Sequence, residues 1–317
     1  AGTKWAQQLA KLQIKAIVVE GRPEEEGWWG LHITKDGVEF FDASKYTGRG
    51  LYEMAPSVFE RFGDRVGMLT IGVAGEKKMA MAGLSFNDMK NRPSRYSGRG
   101  GLGAVAGSKG LKFIILDDSD APGVEIADKE LFDQGRKKMF NALRSHDITK
   151  PKGGLNTYGT AVLVNIINEA GAFPTRNFRE GRFEGAAKIS GEAIFEGNKE
   201  RLGKELYNHG CHPGCVIQCS NTWYDENAEE IVSCIEYETT WAVGANCGID
   251  DLDVVAKLTW LCNDLGIDTI EAGDVIAVAM DAGLAEFGDA EAAVQWLDED
   301  LRNGTHLGHI LGQGTEF

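Results

Sequence analysis

The spacing of apolar positions in the first 120 residues is mostly that of short strands. Apolar runs of strand length cover residues 14–19, 66–73 and 111–116. Two further runs flank Asp36-Gly37, a pair that is typical of a β-hairpin turn. Helical spacing is confined in this part to residues 5–12 and 52–62. The pattern predicts a β-rich part with a few helices.

From residue 121 onward the spacing becomes helical. Periods close to 3.6 residues run through 128–144, 157–170, 250–263, 269–285 and 290–302. The run around His306 and His309 is rich in glycine and is expected to form a loop. The whole pattern predicts an α+β fold, with a β-rich domain over residues 1–120 and a mostly α-helical domain over residues 121–317.

Composition and charge narrow the function. The chain has 317 residues, of which 43% are hydrophobic and 26% are charged, as in a globular protein. The net charge of −15 repels phosphate backbones and argues against nucleic-acid binding. No apolar stretch reaches the roughly 18 residues that a membrane-spanning helix needs. The chain opens at Ala1 without Met, and it is expected to be an internal fragment of a longer polypeptide.

The glycine run over residues 97–110 is the first candidate for chemistry. Its Gly98–Gly103 segment has the letters of a dinucleotide fingerprint, but that motif follows a strand, and here polar residues and Pro93 precede it. A P-loop needs Gly-Lys-Ser or Gly-Lys-Thr, whereas the chain has Ser108-Lys109. Two interpretations stay open: a tight turn between packed elements, or bare backbone amides that bind an anion with Arg99. We favour the anion, because guanidinium groups match phosphate.

The six cysteines all lie between Cys211 and Cys262. This clustering favours a reducing compartment, taken to be the cytoplasm, and a metal site rather than a disulfide framework. Cys211, Cys215 and Cys219 are spaced four apart, and thiolates at such spacing select an iron–sulfur cluster or zinc. Zinc sites more often show paired Cys-x2-Cys, so we favour the cluster over zinc and over three buried structural cysteines. The fourth ligand is Cys234, Cys247, Cys262 or a residue beyond 317.

The chain resembles the tungsten-containing aldehyde ferredoxin oxidoreductases nearly from end to end. The motifs that carry the resemblance are residues 71–76, 99–112, 156–160, 174–178, 236–239, 246–249, 262–269 and the cysteine cluster. Family members are about twice as long, and the chain resembles their middle part. The resemblance implies tungsten, or molybdenum in some relatives, held by two molybdopterin-type pterins, with a 4Fe–4S cluster nearby.

The resemblance also implies particular residues. The pterin-phosphate cradle would be Arg99, Gly100, Gly101 and Gly103. The family's Asp-x-x-Gly-Leu-Asp pterin motif falls on Asn263, Gly266, Ile267 and Asp268, and Asn263 replaces its first Asp. Cys211, Cys215 and Cys219 would be three of the four cluster ligands. Glu238 matches a glutamate proposed to transfer protons near tungsten.

The resemblance implies an oxygen-sensitive, anaerobic enzyme that oxidises an aldehyde to a carboxylate. Electrons would leave through the cluster to ferredoxin or a similar iron–sulfur carrier subunit, and a homo-oligomer is compatible with the family. This chain alone is expected to be inactive because it is incomplete. The alternatives are a tungsten-dependent reductase of an aromatic acyl thioester and a non-catalytic iron–sulfur electron-transfer module.

Overall fold

The computed structural model describes residues 2–316 and separates into two compact units. The base unit comprises residues 2–135 together with Asn263–Asp268, and the helical unit comprises residues 136–262 and 269–316. We call Asn263–Asp268 the docked hexapeptide, because it belongs to the base unit although helical-unit chain flanks it on both sides. A mixed sheet in one unit and mainly helices in the other confirm the α+β class.

A six-stranded mixed sheet forms the centre of the base unit. Its strands are β1 (Trp29–Thr34), β2 (Gly37–Asp42), β3 (Gly67–Thr70), β4 (Leu84–Phe86), β5 (Arg95–Ser97) and β6 (Leu111–Leu116). Their order across the sheet is β2-β1-β6-β3-β4-β5, and only β1 and β6 run parallel. The hairpin expected at Asp36-Gly37 joins β1 to β2.

Strand β6 is covered on both faces. Phe113 and Ile115 belong to one hydrophobic cluster, and Ile114 and Leu116 belong to the other. Since side chains alternate along a strand, a strand with two covered faces has a continuous apolar run, and the predicted boundaries of this strand are confirmed.

Four helices complete the base unit: α1 (Trp5–Lys11), α2 (Leu51–Phe62), α3 (Val73–Glu76) and α4 (Leu102–Ser108). Helix α2 buries Met54, Val58 and Phe59 in the first cluster. Helices α3 and α4 meet through glycines, because a Cβ at Gly107 would lie 1.9 Å from the Gly75 carbonyl oxygen. Such close backbone contact requires a residue without a side chain.

The buried strand expected over residues 14–19 is wrong. This segment forms no strand, and Val18 is 77% exposed. Ile14, Ile17 and Val19 instead pack on the second hydrophobic cluster of the sheet. An apolar run of strand length can thus cover a sheet face as irregular chain, a case that spacing alone does not distinguish.

The other elements follow in chain order. They are α5 (Lys129–Ser145), α6 (Gly154–Tyr158), α7 (Leu163–Glu169), α8 (Gly191–Leu202), β7 (Thr222–Tyr224), β8 (Glu230–Ser233), α9 (Tyr237–Thr239), α10 (Leu252–Leu265), α11 (Thr269–Asp281), α12 (Ala290–Gln295) and α13 (His306–Gly312). Helix α5 begins in the base unit and α10 ends there. Within residues 2–316 no helix combines the length and the apolar character needed to cross a bilayer.

Two expectations for the helical unit need correction. The single helix expected over residues 157–170 is interrupted at Gly159, whose φ of +67° ends α6 before a 3-10 turn and α7. His306 and His309 lie in α13 rather than in a loop, because the Thr305 side chain caps this helix by accepting from Gly308 N. The loop prediction was wrong because it considered the glycine content of this segment and not the capping Thr305.

Asp88 holds the turn between β4 and β5 from a fully buried position. Its Oδ1 accepts from the backbone of Lys90 at 2.7 Å and of Arg92 at 2.9 Å, and its Oδ2 accepts from the Arg92 side chain at 2.7 Å. Burial by itself would raise the pKa of Asp88. The Arg92 charge and the hydrogen bonds outweigh burial and leave this pKa below its ordinary value of 3.8.

We expect Asp88→Asn to lower the free energy of unfolding by about 2–4 kcal/mol near neutral pH. Because the folded pKa is depressed, the contribution of the carboxylate is complete above the ordinary pKa and is lost as pH falls through the folded value. Urea unfolding from pH 7 down to pH 3 should therefore show the difference from wild type narrowing only below about pH 4. Asp36→Asn, at an exposed position, is the control. If the difference in unfolding free energy between Asp88→Asn and wild type did not change with pH, the stabilising role of the Asp88 carboxylate would be refuted.

Candidate functional site

The docked hexapeptide is attached to the base unit by its backbone. Ile267 forms an antiparallel bridge with Ala82. The flanking hydrogen bonds run from Gly83 N to Gly266 O at 2.9 Å and from Asp268 N to Met81 O at 3.2 Å. These bonds fix the four positions assigned to the pterin motif on the base unit.

Two glycines allow this attachment. Gly266 follows the end of α10 with a φ of +79°, and a Cβ there would lie 2.7 Å from Gly72 N. A Cβ at Gly72 would lie 2.2 Å from the Leu265 carbonyl oxygen. Gly266 therefore ends the helix and permits close backbone contact, since only glycine meets both requirements without strain.

Side chains of the hexapeptide contact both helix α2 and strand β5. Buried Asp264 accepts from Tyr52 N at 2.9 Å and so caps the start of α2, a role that the sequence did not indicate. The Tyr96 hydroxyl donates to Asn263 O at 2.5 Å, and Asn263 Nδ2 donates to the Tyr52 hydroxyl at 3.3 Å. Asn263 is itself buried, at 4% exposure.

Arg99 and Asp268, which the resemblance assigned to one site, lie close together. Arg99 Nε is 3.8 Å from Asp268 Oδ1, and a Cβ at Gly98 would lie 2.3 Å from that same oxygen. The Arg99 side chain is 72% exposed and keeps its donors available, because 3.8 Å is too long for a hydrogen bond. The structure therefore brings the glycine loop and the hexapeptide together at Asp268.

The glycines of the loop fall into two groups. Gly100 and Gly101 have φ values of +89° and +66°, and a Cβ at Gly100 would meet no atom within 4 Å. Their backbone N–H groups donate to no acceptor in the described chain. Gly103 instead packs inside the unit, because its Cβ would lie 2.4 Å from Gly83 O. Open amides beside an exposed guanidinium fit an anionic phosphate, whereas Gly103 serves packing.

A strand does precede the glycine loop, contrary to the sequence expectation. Strand β5 ends at Ser97 and pairs antiparallel with β4 at the edge of the sheet. A dinucleotide fingerprint follows a parallel strand of a βαβ unit, so this arrangement still argues against it. Pro93 is compatible with β5 because it lies before the strand begins.

The cysteine loop, residues 208–220 of the helical unit, is closed by hydrogen bonds at both ends. His209 N donates to Ser220 O at 2.9 Å, and Ser220 N donates to His209 O at 3.1 Å. The buried Asn156 side chain donates to Asn208 O and Gln218 O, at 3.2 Å each. One amide thus ties two distant points of the loop, which explains an asparagine in the 156–160 motif.

Three groups of this loop could hold a metal ion, because the donor atoms of Cys211, His212 and Cys215 all lie within 4.8 Å of one another. Cys219 lies outside this close group, although the three-cysteine spacing led us to expect it there. Burial raises the pKa of Cys219 to about 11, and the charges of Glu236, Cys211 and Cys215 add to the effect. His212 was not among the ligands predicted from the sequence. Its position between Cys211 and Cys215 was the feature that could have indicated it.

The three remaining cysteines, Cys234, Cys247 and Cys262, are buried and form no disulfide among the described residues. Cys247 donates to the carbonyl oxygens of Ala242 at 3.3 Å and Gly273 at 3.4 Å, and burial raises the pKa of this thiol strongly. Cys234, Cys247 and Cys262 do not join the close group in the described structure. The source of a fourth cluster ligand therefore stays an open prediction.

Glu238 lies on α9 in the helical unit, and its side chain is exposed. The neighbouring Glu236 accepts a hydrogen bond from the Thr160 hydroxyl at 2.6 Å. A π-helical turn over Thr240–Gly244 follows α9 directly, and such turns are frequent at functional sites.

An exposed arginine beside open backbone amides suits an anion, and two thiols with an imidazole suit a metal ion. Family models identify the class of protein. The aldehyde ferredoxin oxidoreductase N-terminal domain matches residues 1–118, and domains 2 and 3 of the same family match residues 134–317. The chain belongs to the aldehyde ferredoxin oxidoreductase family, whose relatives below are named as tungsten-containing oxidoreductases.

Two relatives give the extent of the match. The tungsten-containing aldehyde ferredoxin oxidoreductase of Pyrococcus abyssi is 36% identical over 316 residues, which cover 94% of this chain and 49% of the relative. That of Thermococcus kodakarensis is 39% identical over 268 residues, which cover 84% of this chain and 41% of the relative. The chain therefore spans about half the length of the curated relatives it matches.

One solved structure shares the fold. The BamBC active-site complex of benzoyl coenzyme A reductase, in complex with 1,5-dienoyl-CoA, matches with a TM-score of 0.73 at 20% identity. The match covers 98% of this chain and 48% of that chain. At this identity the likeness describes the fold alone.

Proposed function

We propose that the protein oxidises an aldehyde to a carboxylate at a tungsten bis-pterin centre. Electrons leave through a 4Fe–4S cluster to ferredoxin or a similar iron–sulfur carrier. The observation that carries the proposal is the attachment of the docked hexapeptide beside Arg99, which unites two segments distant in sequence. The identity to tungsten-containing relatives supports the choice of metal.

The base unit supplies the groups that a pterin needs. The Arg99 guanidinium, which is exposed although it lies 3.8 Å from Asp268, and the open amides of Gly100 and Gly101 would bind the phosphate. Asn263 Oδ1 and the Asp268 carboxylate accept hydrogen bonds from the amino and ring N–H groups of the pterin. Because Asn263 Nδ2 is occupied by Tyr52, the amide presents its oxygen as the aspartate of the family would.

The helical unit supplies the electron path and a proton acceptor. Cys211, Cys215 and Cys219 would hold the cluster, because thiolates are its usual ligands. When bound, the tungsten–pterin group supplies the two-electron redox chemistry at the aldehyde carbon. Addition of water and loss of two electrons also release protons, and the exposed Glu238 carboxylate takes one of them.

The working conditions follow from the thiols. None of the six cysteines forms a disulfide in the described residues, and thiolates that hold an iron–sulfur cluster must stay reduced. We therefore place the protein in the anaerobic, reducing cytoplasm, with a homo-oligomer compatible with the family.

Metal and pterin analysis of anaerobically prepared full-length protein tests the proposal, together with aldehyde-dependent reduction of a viologen dye. We expect tungsten, two pterins per chain and dye reduction. Iron without tungsten or pterin would instead support an electron-transfer module. Molybdenum in place of tungsten would change the metal but not the site.

The fold shared with benzoyl coenzyme A reductase favours one second candidate, a tungsten-dependent reductase of an aromatic acyl thioester. The same preparation separates the two functions. A protein that oxidises a reduced dye only when an aromatic acyl thioester is present, and ignores aldehydes, would be the reductase.

Arg99→Ala is expected to weaken pterin retention. A charge-assisted hydrogen bond to phosphate contributes about 1.5–3 kcal/mol, which corresponds to roughly 10- to 100-fold in affinity. Bound pterin, released by acid and measured by fluorescence, should therefore fall while the fold is kept. Arg49→Ala, which removes an arginine paired with Glu53 on α2, is the matched control. Equal pterin content in both variants would show that the glycine loop is only a tight turn and does not bind the pterin phosphate.

A further inference from the structure

The close group in the cysteine loop contains a histidine where three cysteines were expected. Cys211, His212 and Cys215 contribute two sulfur atoms and one ring nitrogen, all within 4.8 Å of one another. We propose that these three residues bind a single thiophilic divalent cation such as Zn²⁺. We also propose, as an extension that rests on the proposed function, that this ion competes with the iron–sulfur cluster for Cys211 and Cys215.

The spacing of the donors suits one ion better than a cluster. Zinc binds sulfur at about 2.3 Å and imidazole nitrogen at about 2.0–2.1 Å, so ligands on one tetrahedral ion lie roughly 3.5–4 Å apart. The observed upper limit of 4.8 Å is close to this spacing. Ligands on different irons of a cluster lie farther apart, because a metal–metal edge separates them. Cys219, outside the close group, is then a ligand of the cluster but not of the single ion.

His212 has the hydrogen bond that a metal-binding histidine usually has. Its Nδ1 lies 2.9 Å from the Pro213 carbonyl oxygen. A carbonyl oxygen only accepts, so Nδ1 carries the proton and Nε2 keeps its lone pair for a cation. A backbone carbonyl that holds one ring N–H in this way orients the imidazole and raises its basicity as a ligand.

The turn that presents these donors is closely packed. Cys215 N donates to His212 O at 3.2 Å, and Gly214 takes a φ of +77° inside this turn. A Cβ at Gly210 would lie 3.1 Å from Cys215 Cβ. The donors are thus already gathered, which lowers the entropy lost when an ion binds.

The charges of the site also match one divalent ion. Two thiolates and a neutral imidazole give a complex without net charge, which a half-buried loop accommodates at little desolvation cost. Binding replaces two thiol protons by the ion and leaves the fourth tetrahedral position to water. No electrons are transferred, so the site needs no oxidant or reductant.

Cobalt titration of full-length protein tests the proposal, after metal removal under anaerobic reducing conditions. Tetrahedral Co²⁺ bound to thiolate has characteristic visible and charge-transfer absorption, and Zn²⁺ should displace it. We expect one Co²⁺ per chain in wild type. His212→Ala should bind it at least about tenfold more weakly, whereas Cys219→Ala should bind it as wild type does. Circular dichroism checks that both variants fold.

Iron reconstitution of the same variants is expected to rank them in the opposite order to Co²⁺ binding. His212→Ala should accept iron and sulfide as wild type does, Cys219→Ala should lose most of the iron, and one equivalent of Zn²⁺ should block loading in wild type only. No Co²⁺ uptake by wild type, or an affinity that depends on Cys219 rather than His212, would overturn the proposed site. Iron loading that fails in wild type while Co²⁺ still binds would overturn the cluster and leave the mononuclear site standing.

Discussion

Cys215→Ser is expected to reduce iron in anaerobically prepared full-length protein from about four per chain to below about one. Cys215 belongs to the close metal-ligating group, and serine oxygen is a poor substitute for thiolate sulfur at iron. The side chain is only partly buried, so the loss of sulfur should leave the fold intact. Iron analysis combined with circular dichroism measures both quantities.

Cys247→Ser is the matched control for this experiment. Cys247 is a buried free thiol that donates to two backbone carbonyl oxygens, and a serine hydroxyl can form the same bonds. We expect this variant to retain its iron. A Cys215→Ser protein with full iron content would remove Cys215 from the ligand set. Loss of iron in both variants would instead identify Cys247 as the fourth cluster ligand.

Lys112→Met is expected to lower the free energy of unfolding of the base unit by about 3–5 kcal/mol. Lys112 is fully buried on β6, and its Nζ donates to Glu76 Oε1 and to Ile71 O, at 2.5 Å each. Glu76 Oε2 accepts from Gly48 N at 2.8 Å, so the pair joins three segments. Removing the ammonium leaves a largely buried carboxylate without its counter-charge, which is the main source of the cost.

A double-mutant cycle separates this charge effect from packing. In Lys112→Met/Glu76→Gln the amide keeps the contact to Gly48 N and carries no charge, so we expect it to recover at least about 1 kcal/mol relative to Lys112→Met alone. Chemical denaturation followed by tryptophan fluorescence gives the three differences, with the more exposed Lys35→Met as control. Additive single effects would show that the two side chains do not interact.

Local patterns predicted those elements whose burial is uniform. Strand β6 and the hairpin at Asp36-Gly37 depend on apolar alternation and on turn chemistry, both of which are local. The strand predicted over residues 14–19 was wrong because this segment packs on a face of the sheet and does not pair with a neighbouring strand. The helix over residues 157–170 failed because the left-handed backbone of Gly159 interrupts a spacing that continues on both sides.

Only those residues of the candidate site that lie in recognisable sequence motifs could be predicted. The resemblance named Arg99 and Asp268, and the structure brings them to 3.8 Å, although binding of a pterin stays a prediction. The anchoring role of Asp264 depends on Tyr52 N, 212 positions away, which no local pattern reveals. His212 was passed over because spacing rules count cysteines, whereas ligand choice depends on which atoms a turn brings together.

The docked hexapeptide also constrains how the protein folds during synthesis. The strands and helices of the base unit are encoded before residue 135, yet Asp264, which accepts from Tyr52 N, lies 129 residues farther along the chain. At about 5–20 residues per second, synthesis of these residues lasts roughly 6–26 s. Until the hexapeptide is made, Tyr52 N lacks the acceptor Asp264, and Gly83 N and Met81 O lack their partners Gly266 O and Asp268 N. We therefore expect the base unit to reach its full stability only after the hexapeptide has been synthesised.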